Sequence, residues 1–408
     1  MSHFVGHGGV EIGKDELLDQ FVRETSSEFH GQGVLAADMD HTMFDKDLGI
    51  LVFLEKLSDP HFWDFSPSYF TKLLLPDLYR RLLERGKNGE ILNLNPKYCA
   101  LALDLFNDAS SLYNLLHRLK GNGNGSARKV LPPHVVQVFA RKMLEFDRLF
   151  LIMDRYLSKH TGGQLLLRTR FFAGKAPGQI RDFTKRIFTH TDTSPDPDLS
   201  LLMTDEHRES VKCVHQKVDE QRLSDVHGDE SSLYHRVDRV VHPVWGTHEL
   251  MRGMVRDLDI PGVVITANLY GIAATALGAS KEHYGFLADQ SFHRGDAAEP
   301  YVIGTRLRRR TEKQLLPEVD GLPVFGPQKA EEANAFAARR KGSLVAAFGD
   351  SPSTDGSLLQ SSVEQGGYAF VVGRDFASTC AKFREVFDPL LKTSADISRR
   401  IFYIVESA

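Results

Sequence analysis

The sequence predicts an α/β protein: a Rossmann-like core of three layers, with a mostly parallel sheet between helices, and a large all-helical cap inserted after the first strand. Three observations lead there. Short apolar runs such as VLAA (34–37), GVVIT (262–266), SLVAAFG (343–349) and YAFVVG (368–373) stop abruptly at polar residues, as buried strands do. Between the later runs lie segments of helical length, and alternating β and α units call for parallel strands covered on both faces. Finally, residues from about 45 to 240 carry apolar positions three and four apart. That stretch reads as helices alone.

Residues 14–29, KDELLDQFVRETSSEF, set Leu17, Leu18, Phe21 and Val22 at helical spacing, which predicts a packing helix leading into the strand at 34–37. Helices follow at DLGILVFLEKL (47–57), YFTKLLLPDLYRRLLERG (69–86), YCALALDLFNDASSLYNLLHRL (98–119) and VVQVFARKMLEFDRLFLIMDRYL (135–157), with Pro76 expected to break the second. GNGNGS (121–126) and HTDTSPDPDLS (190–200) read as loops. From 243 the order is a helix to Leu258, the strand PGVVITA, a helix NLYGIAATALGA, strand-like FLADQ and YVIGTRL, and a helix over 328–340. The strand 343–350, a helical GSLLQSS, the strand 368–373, a C-terminal helix and the strand-like RIFYIV complete the chain. The division this implies is a catalytic core of 1–44 and 243–408, with the cap over 45–242.

Composition excludes some classes of function. A formal charge of -4 over 408 residues gives no polyelectrolyte signal, so neither nucleic acid nor a membrane surface is an expected partner. RLRRR (306–310) reads as a solvated face. Cys99, Cys213 and Cys380 are odd in number and lack paired spacing, which fits a reducing compartment. With no secretory signal pattern and no apolar run near the ~18 residues a membrane span needs, a cytoplasmic location is expected. The histidines lack the spacing of a zinc site. Nothing here speaks to oligomeric state.

Chemistry gathers at the predicted strand ends. Asp38 and Asp40 follow the first apolar run, Thr266 ends the second, and Asp350 ends the third with Asp355 five residues on. Lys329 opens the helix before that third strand. Parallel strands present their carboxyl ends at one edge, where open α/β sheets bind ligands. Four carboxylates in one crevice repel one another unless a cation joins them, and oxygen ligands suit Mg²⁺.

In order along the chain, DMDHT, VVIT, Lys329 within GPQKAEE, and GDSPSTD resemble the four motifs of the haloacid dehalogenase superfamily. ITANLYGIAATALGA followed by VIGTRL resembles its phosphoserine-phosphatase-like branch, and TRFFAGKAPGQIRDF (169–183) is similar to a cap segment of those relatives. The resemblance implies a Mg²⁺-dependent phosphatase acting on a small phosphorylated metabolite through an aspartyl-phosphate. It makes Asp38 the nucleophile and Asp40 the acid/base, with Thr266 and Lys329 holding the phosphoryl oxygens and Thr42, Ala267 and Asn268 lining the phosphate site. Asp38, Asp350, Asp355 and the Asp40 backbone carbonyl are the implied metal set.

Departures from the pattern matter too. The insertion is far longer than the small cap of phosphoserine phosphatases, and the interval from Asp350 to Asp355 is the longer variant of its motif. Asp47 falls where those enzymes recognise a substrate amine, and Arg168 or Arg170 where they bind a carboxylate. A helix-start Asp and surface arginines are an equal reading of the same residues. His41 replaces a small residue and reads either as pocket lining or as a structural imidazole. Two other functions share these motifs: phosphoryl transfer to an acceptor other than water, and a protein-interaction scaffold built on the same core.

Overall fold

The computed structural model describes residues 2–29, 32–58, 65–88, 96–120, nine positions between 135 and 147, 168–188, 241–284, 302–311 and 314–406. The loops expected at 121–126 and 190–200 and the strand expected at FLADQ lie outside these residues.

Eight strands form one sheet in the order β2-β1-β10-β9-β8-β3-β4-β5. The strands are β1 (Ser2–Gly6), β2 (Glu11–Ile12), β3 (Gly33–Ala37), β4 (Gly262–Leu269), β5 (Val302–Thr305), β8 (Ser343–Gly349), β9 (Tyr368–Gly373) and β10 (Ile401–Glu406). From β10 to β5 every neighbouring pair is parallel, whereas β1 runs antiparallel to both β10 and β2. The run at 34–37 is therefore the third strand and not the first. Ser2–Gly6 has one fully buried apolar side chain, Phe4, and becomes a strand by pairing with β10 rather than by its own pattern.

Alternation along the central strands divides the core into two sides. Leu35, Ala37, Val264 and Phe348 face Leu17 and Phe21 of α1 (Lys14–Phe29) and Leu250, Met251 and Met254 of a helix at Trp245–Leu258. Val34, Ala36, Val263, Ile265 and Ala347 face Ala333 and Phe336 of one helix, Pro327–Arg339, and Leu358 and Leu359 of another, Pro352–Glu364. Buried strands with apolar side chains on both faces need helices on both sides, and they have them. The result is a mixed α/β fold of the Rossmann-like kind.

Between β3 and Trp245 the described elements are helical: α2 (Leu48–Ser58), α3 (Pro67–Leu74), α4 (Asp77–Lys87), α5 (Pro96–Lys120) and α6 (Pro177–Ile187). Pro76 separates α3 from α4, and Ser66 caps α3 by accepting from Tyr69 N. Phe70 of α3 stacks on Tyr113 of α5 with ring centroids 3.8 Å apart. The remaining helices are α7 (Trp245–Leu258), α8 (Tyr270–Tyr284), α9 (Pro327–Arg339), α10 (Pro352–Glu364), α11 (Phe376–Lys382) and α12 (Arg384–Leu391). The helix expected at 268 thus starts two residues later, because Asn268 and Leu269 belong to β4.

The helical segment leaves and rejoins the sheet at adjacent points. Asp45 N donates to His242 O (2.9 Å), His242 N to Asp45 Oδ1 (2.8 Å) and Val244 N to Met43 O (2.9 Å). A second tie comes from a hairpin the sequence reading missed, β6 (Leu307–Thr311) with β7 (Gln314–Val319). Leu315 of β7 exchanges backbone bonds with Gly174 and Lys175, while Arg308, Arg309 and Arg310 point to solvent as expected of a solvated face. Among the described residues no helix is long and apolar enough to cross a membrane.

Candidate functional site

The neighbours β8, β3 and β4 bring their carboxyl ends to one edge, although their residues are far apart in sequence. Asp38 continues the ladder beyond β3 by donating its N–H to Phe348 O (3.0 Å), so its side chain leaves the sheet at a fixed place. The chain then turns tightly: Met43 N and Phe44 N both donate to Met39 O, and His41 takes the left-handed conformation at φ 54°. The His41 ring is exposed, with Nδ1 3.2 Å from Asp45 O, which makes it part of the turn.

At the end of β8, Asp350 is followed by α10, whose first turn carries Asp355. Asp355 Oδ2 accepts from Asp350 N (3.1 Å) and Ser351 N (3.0 Å), stitching the strand to the helix. Gly349 makes this possible, since a Cβ there would stand 2.5 Å from that of Asp355. Lys329, near the start of α9, inserts its ammonium between two acids, 2.6 Å from Asp38 Oδ1 and 2.6 Å from Asp355 Oδ1. Asp38, Lys329 and Asp355 are all buried. Carboxylate oxygens of Asp38, Asp350 and Asp355 lie within 4.8 Å of one another, and Thr42 Oγ1 is 3.5 Å from Asp350 Oδ1.

Charge is unbalanced here. Three carboxylates share the buried Lys329 ammonium, with the exposed Lys382 beside Asp350, and removal from water is costly for each. Burial, reinforced by Asp355, lifts Asp38 to about 7 against the pull of Lys329, and burial and Asp355 likewise lift Asp350 to about 7 against Lys382 and Lys329. Burial alone would lower Lys329, but Asp355 and Asp38 outweigh it and keep the ammonium firmly protonated. A divalent cation fits such a donor set: the oxygens are hard ligands, closely spaced and in surplus over the ammonium groups already present. Asp38, Asp350 and Asp355 are the residues able to hold it.

Asp40 stands apart from that trio. Its carboxylate accepts from Leu48 N at the start of α2 (3.0 Å) and from Asn268 Nδ2 (2.6 Å). Burial, then the charges of Asp47 and Asp38, hold it well above the usual carboxylate range. Thr266 is buried, its hydroxyl accepting from Asn268 N (3.2 Å), and Ala267 O accepts from Thr305 Oγ1 (2.9 Å).

The remaining predicted residues separate. Asp47 starts α2, accepting from Ile50 N (2.9 Å), and also lies 3.4 Å from Arg168. Arg168 is buried and makes a two-pronged pair with Asp147, at 2.8 and 3.0 Å, so it is not a surface charge. Arg170 is only partly exposed and is lowered by burial, with Tyr79 opposing that shift. Sequence reasoning missed Asp147, which has no motif around it. It also missed Lys382, whose Nζ donates to Asp350 O (2.9 Å).

The fold and its strand-edge cluster of buried acids define a mixed α/β protein with a parallel sheet and an acidic, lysine-bridged crevice. No established protein family and no curated protein matches the chain. Among solved structures it is similar to a conserved protein of unknown function from Anaerococcus prevotii, at 12% identity and a TM-score of 0.54, covering 95% of this chain and 91% of that one. Likeness at that identity speaks to the fold alone.

Proposed function

We propose that the protein is a Mg²⁺-dependent phosphatase of the haloacid dehalogenase type, hydrolysing a small phosphomonoester enclosed between the sheet edge and the helical segment, which serves as its cap. The observation that carries this reading is the buried Asp38–Lys329–Asp355 chain with Asp350 beside it. Asp38 attacks phosphorus, the bond from phosphorus to the ester oxygen breaks, and an aspartyl-phosphate forms. Asp40 gives its proton to the departing alkoxide, then takes one from the water that attacks the phosphoenzyme, releasing inorganic phosphate and restoring Asp38. Lys329 and Thr266 hold the phosphoryl oxygens, and Asp355 fixes Lys329 in place. Asp38, Asp350, Asp355 and the Asp40 carbonyl would hold Mg²⁺, which when bound would supply the positive charge that lets an anionic nucleophile meet an anionic phosphate.

The experiment is a phosphomonoester panel with Mg²⁺, reading inorganic phosphate, with Asp38→Asn alongside. Wild type should release phosphate from one or more compounds and form an acid-stable phosphoprotein. Asp38→Asn should do neither. Absence of release across the panel, or a phosphoprotein that survives the substitution, rules the reading out.

A further inference from the structure

Each oxygen of Asp40 meets a donor from a different element. Leu48 N–H occupies one site on Oδ1, and the Asn268 amide occupies one site on Oδ2 at 2.6 Å. A carboxylate oxygen has two acceptor sites, so each retains one for exchange with a substrate or water. The group is oriented without being used up.

Asn268 does not reach that place by strand alternation. β4 and β5 are in register at Thr266↔Gly304, yet the next pair is Leu269↔Thr305, so Ala267 and Asn268 are extra residues bulging from the ladder. Bulges bend a strand and re-aim its side chains. This one is held on every side: Thr305 Oγ1 donates to Ala267 O (2.9 Å), Asn268 N donates to Thr266 Oγ1 (3.2 Å), and Val324 N donates to Thr305 Oγ1 (3.2 Å). Gly304 leaves room for the bulged backbone, since a Cβ there would lie 2.9 Å from Asn268 O. From the opposite side, a Cβ on Gly49 of α2 would overlap Asn268 Oδ1. Four stretches of chain are shaped around one amide.

We infer that Asn268 is a positioning residue for proton transfer by Asp40, delivered by the β4 bulge and given room by Gly49, and not a ligand of the phosphate. The inference rests on the phosphatase reading and makes a demand that reading does not: the effect of Asn268 depends on how much the leaving group needs a proton. 4-Nitrophenolate departs readily as an anion, whereas phenolate gains far more from protonation.

Steady-state rates on 4-nitrophenyl phosphate and phenyl phosphate, with Mg²⁺, test it. Asn268→Ala should lower kcat on phenyl phosphate by about tenfold or more and on 4-nitrophenyl phosphate by less than about threefold, with KM and inhibition by inorganic phosphate little changed. Gly49→Ala, which pushes on the amide from α2 while leaving Asn268 in the chain, should show the same bias. That second variant decides the matter if Asn268→Ala does not fold. Equal losses on both esters, or weakened inhibition by phosphate, make Asn268 a phosphate ligand and overturn the inference while leaving the phosphatase intact. Unchanged rates on both overturn it as well. A wild type that releases phosphate from neither ester nor any other member of the phosphomonoester panel removes the phosphatase reading itself.

Discussion

Two clusters of buried charge lie on either side of Asp40, and they are built differently. In the helical segment Arg168 is gripped by both oxygens of Asp147 and approached by Asp47, so its charge is met by close, well-directed partners. Burial alone would lower Arg168, but Asp147 and Asp47 more than reverse it. At the strand edge the buried Lys329 and the exposed Lys382 face three acids, and two of those acids are driven up to about 7. The first cluster is satisfied by the chain itself. The second keeps a surplus of carboxylate oxygen and negative charge over its ammonium groups.

The contrast is sharpest when each cluster loses a member. Arg168→Met should destabilise the protein by about 3–5 kcal/mol in urea unfolding, because the buried Asp147 loses its two-pronged guanidinium partner, and Mg²⁺ should restore none of it. A loss below about 1 kcal/mol would show that the pair is not structural. At the strand edge the sign reverses. Asp350→Asn should stabilise the metal-free protein at about pH 8 by roughly 1–2 kcal/mol, since it removes a carboxylate whose charge the site resists.

The pH dependence follows from the same two acids. Asp38 and Asp350 ionise near 3.8 when unfolded and at about 7 when folded, so the native state binds the extra protons between those values. Their contribution to metal-free stability therefore falls as pH rises through that window, and Mg²⁺ should raise the unfolding midpoint more at about pH 8 than at about pH 5. The buried His248, lowered to about 4, works in the opposite direction, which is why the Mg²⁺-induced shift is the quantity to measure. Asp350→Asn should remove most of that shift.

The smallest effect belongs to the residue between the clusters. Asp47→Asn keeps a good helix-starting side chain on α2 and should change stability by less than about 1 kcal/mol. A loss above about 2 kcal/mol by urea unfolding would mean that Asp47, rather than Asp147, supports Arg168.

Much of the strand edge was legible because buried parallel strands advertise themselves: VLAA, VVIT and LVAAFG are apolar runs that end at the candidate site side chains. Their meeting at one edge follows from parallel pairing. What was not legible depends on partners distant in sequence. Ser2–Gly6 has little pattern of its own and becomes a strand only against β10. The β4 bulge depends on where Thr305 and Gly304 fall in the next strand, so Asn268 read as a phosphate neighbour although its amide is engaged by Asp40. Asp47 and Arg168 are a pair with a third member, Asp147, whose charge no spacing rule connects to them.

The backbone joined at Asp45 and His242 has a consequence for how the chain tolerates its own length. This join closes the helical segment at its base, so the sheet experiences it as it would a short hairpin connection. Chain-closure entropy grows only with the logarithm of loop size, and doubling such a segment would cost about 0.6 kcal/mol. Specific contacts still join the segment to the core, through Leu48 and Gly49 of α2 at Asp40 and Asn268 and through Gly174 and Lys175 at Leu315 of β7. Length can therefore vary with little chain-closure cost only in the parts of the segment away from these contacts.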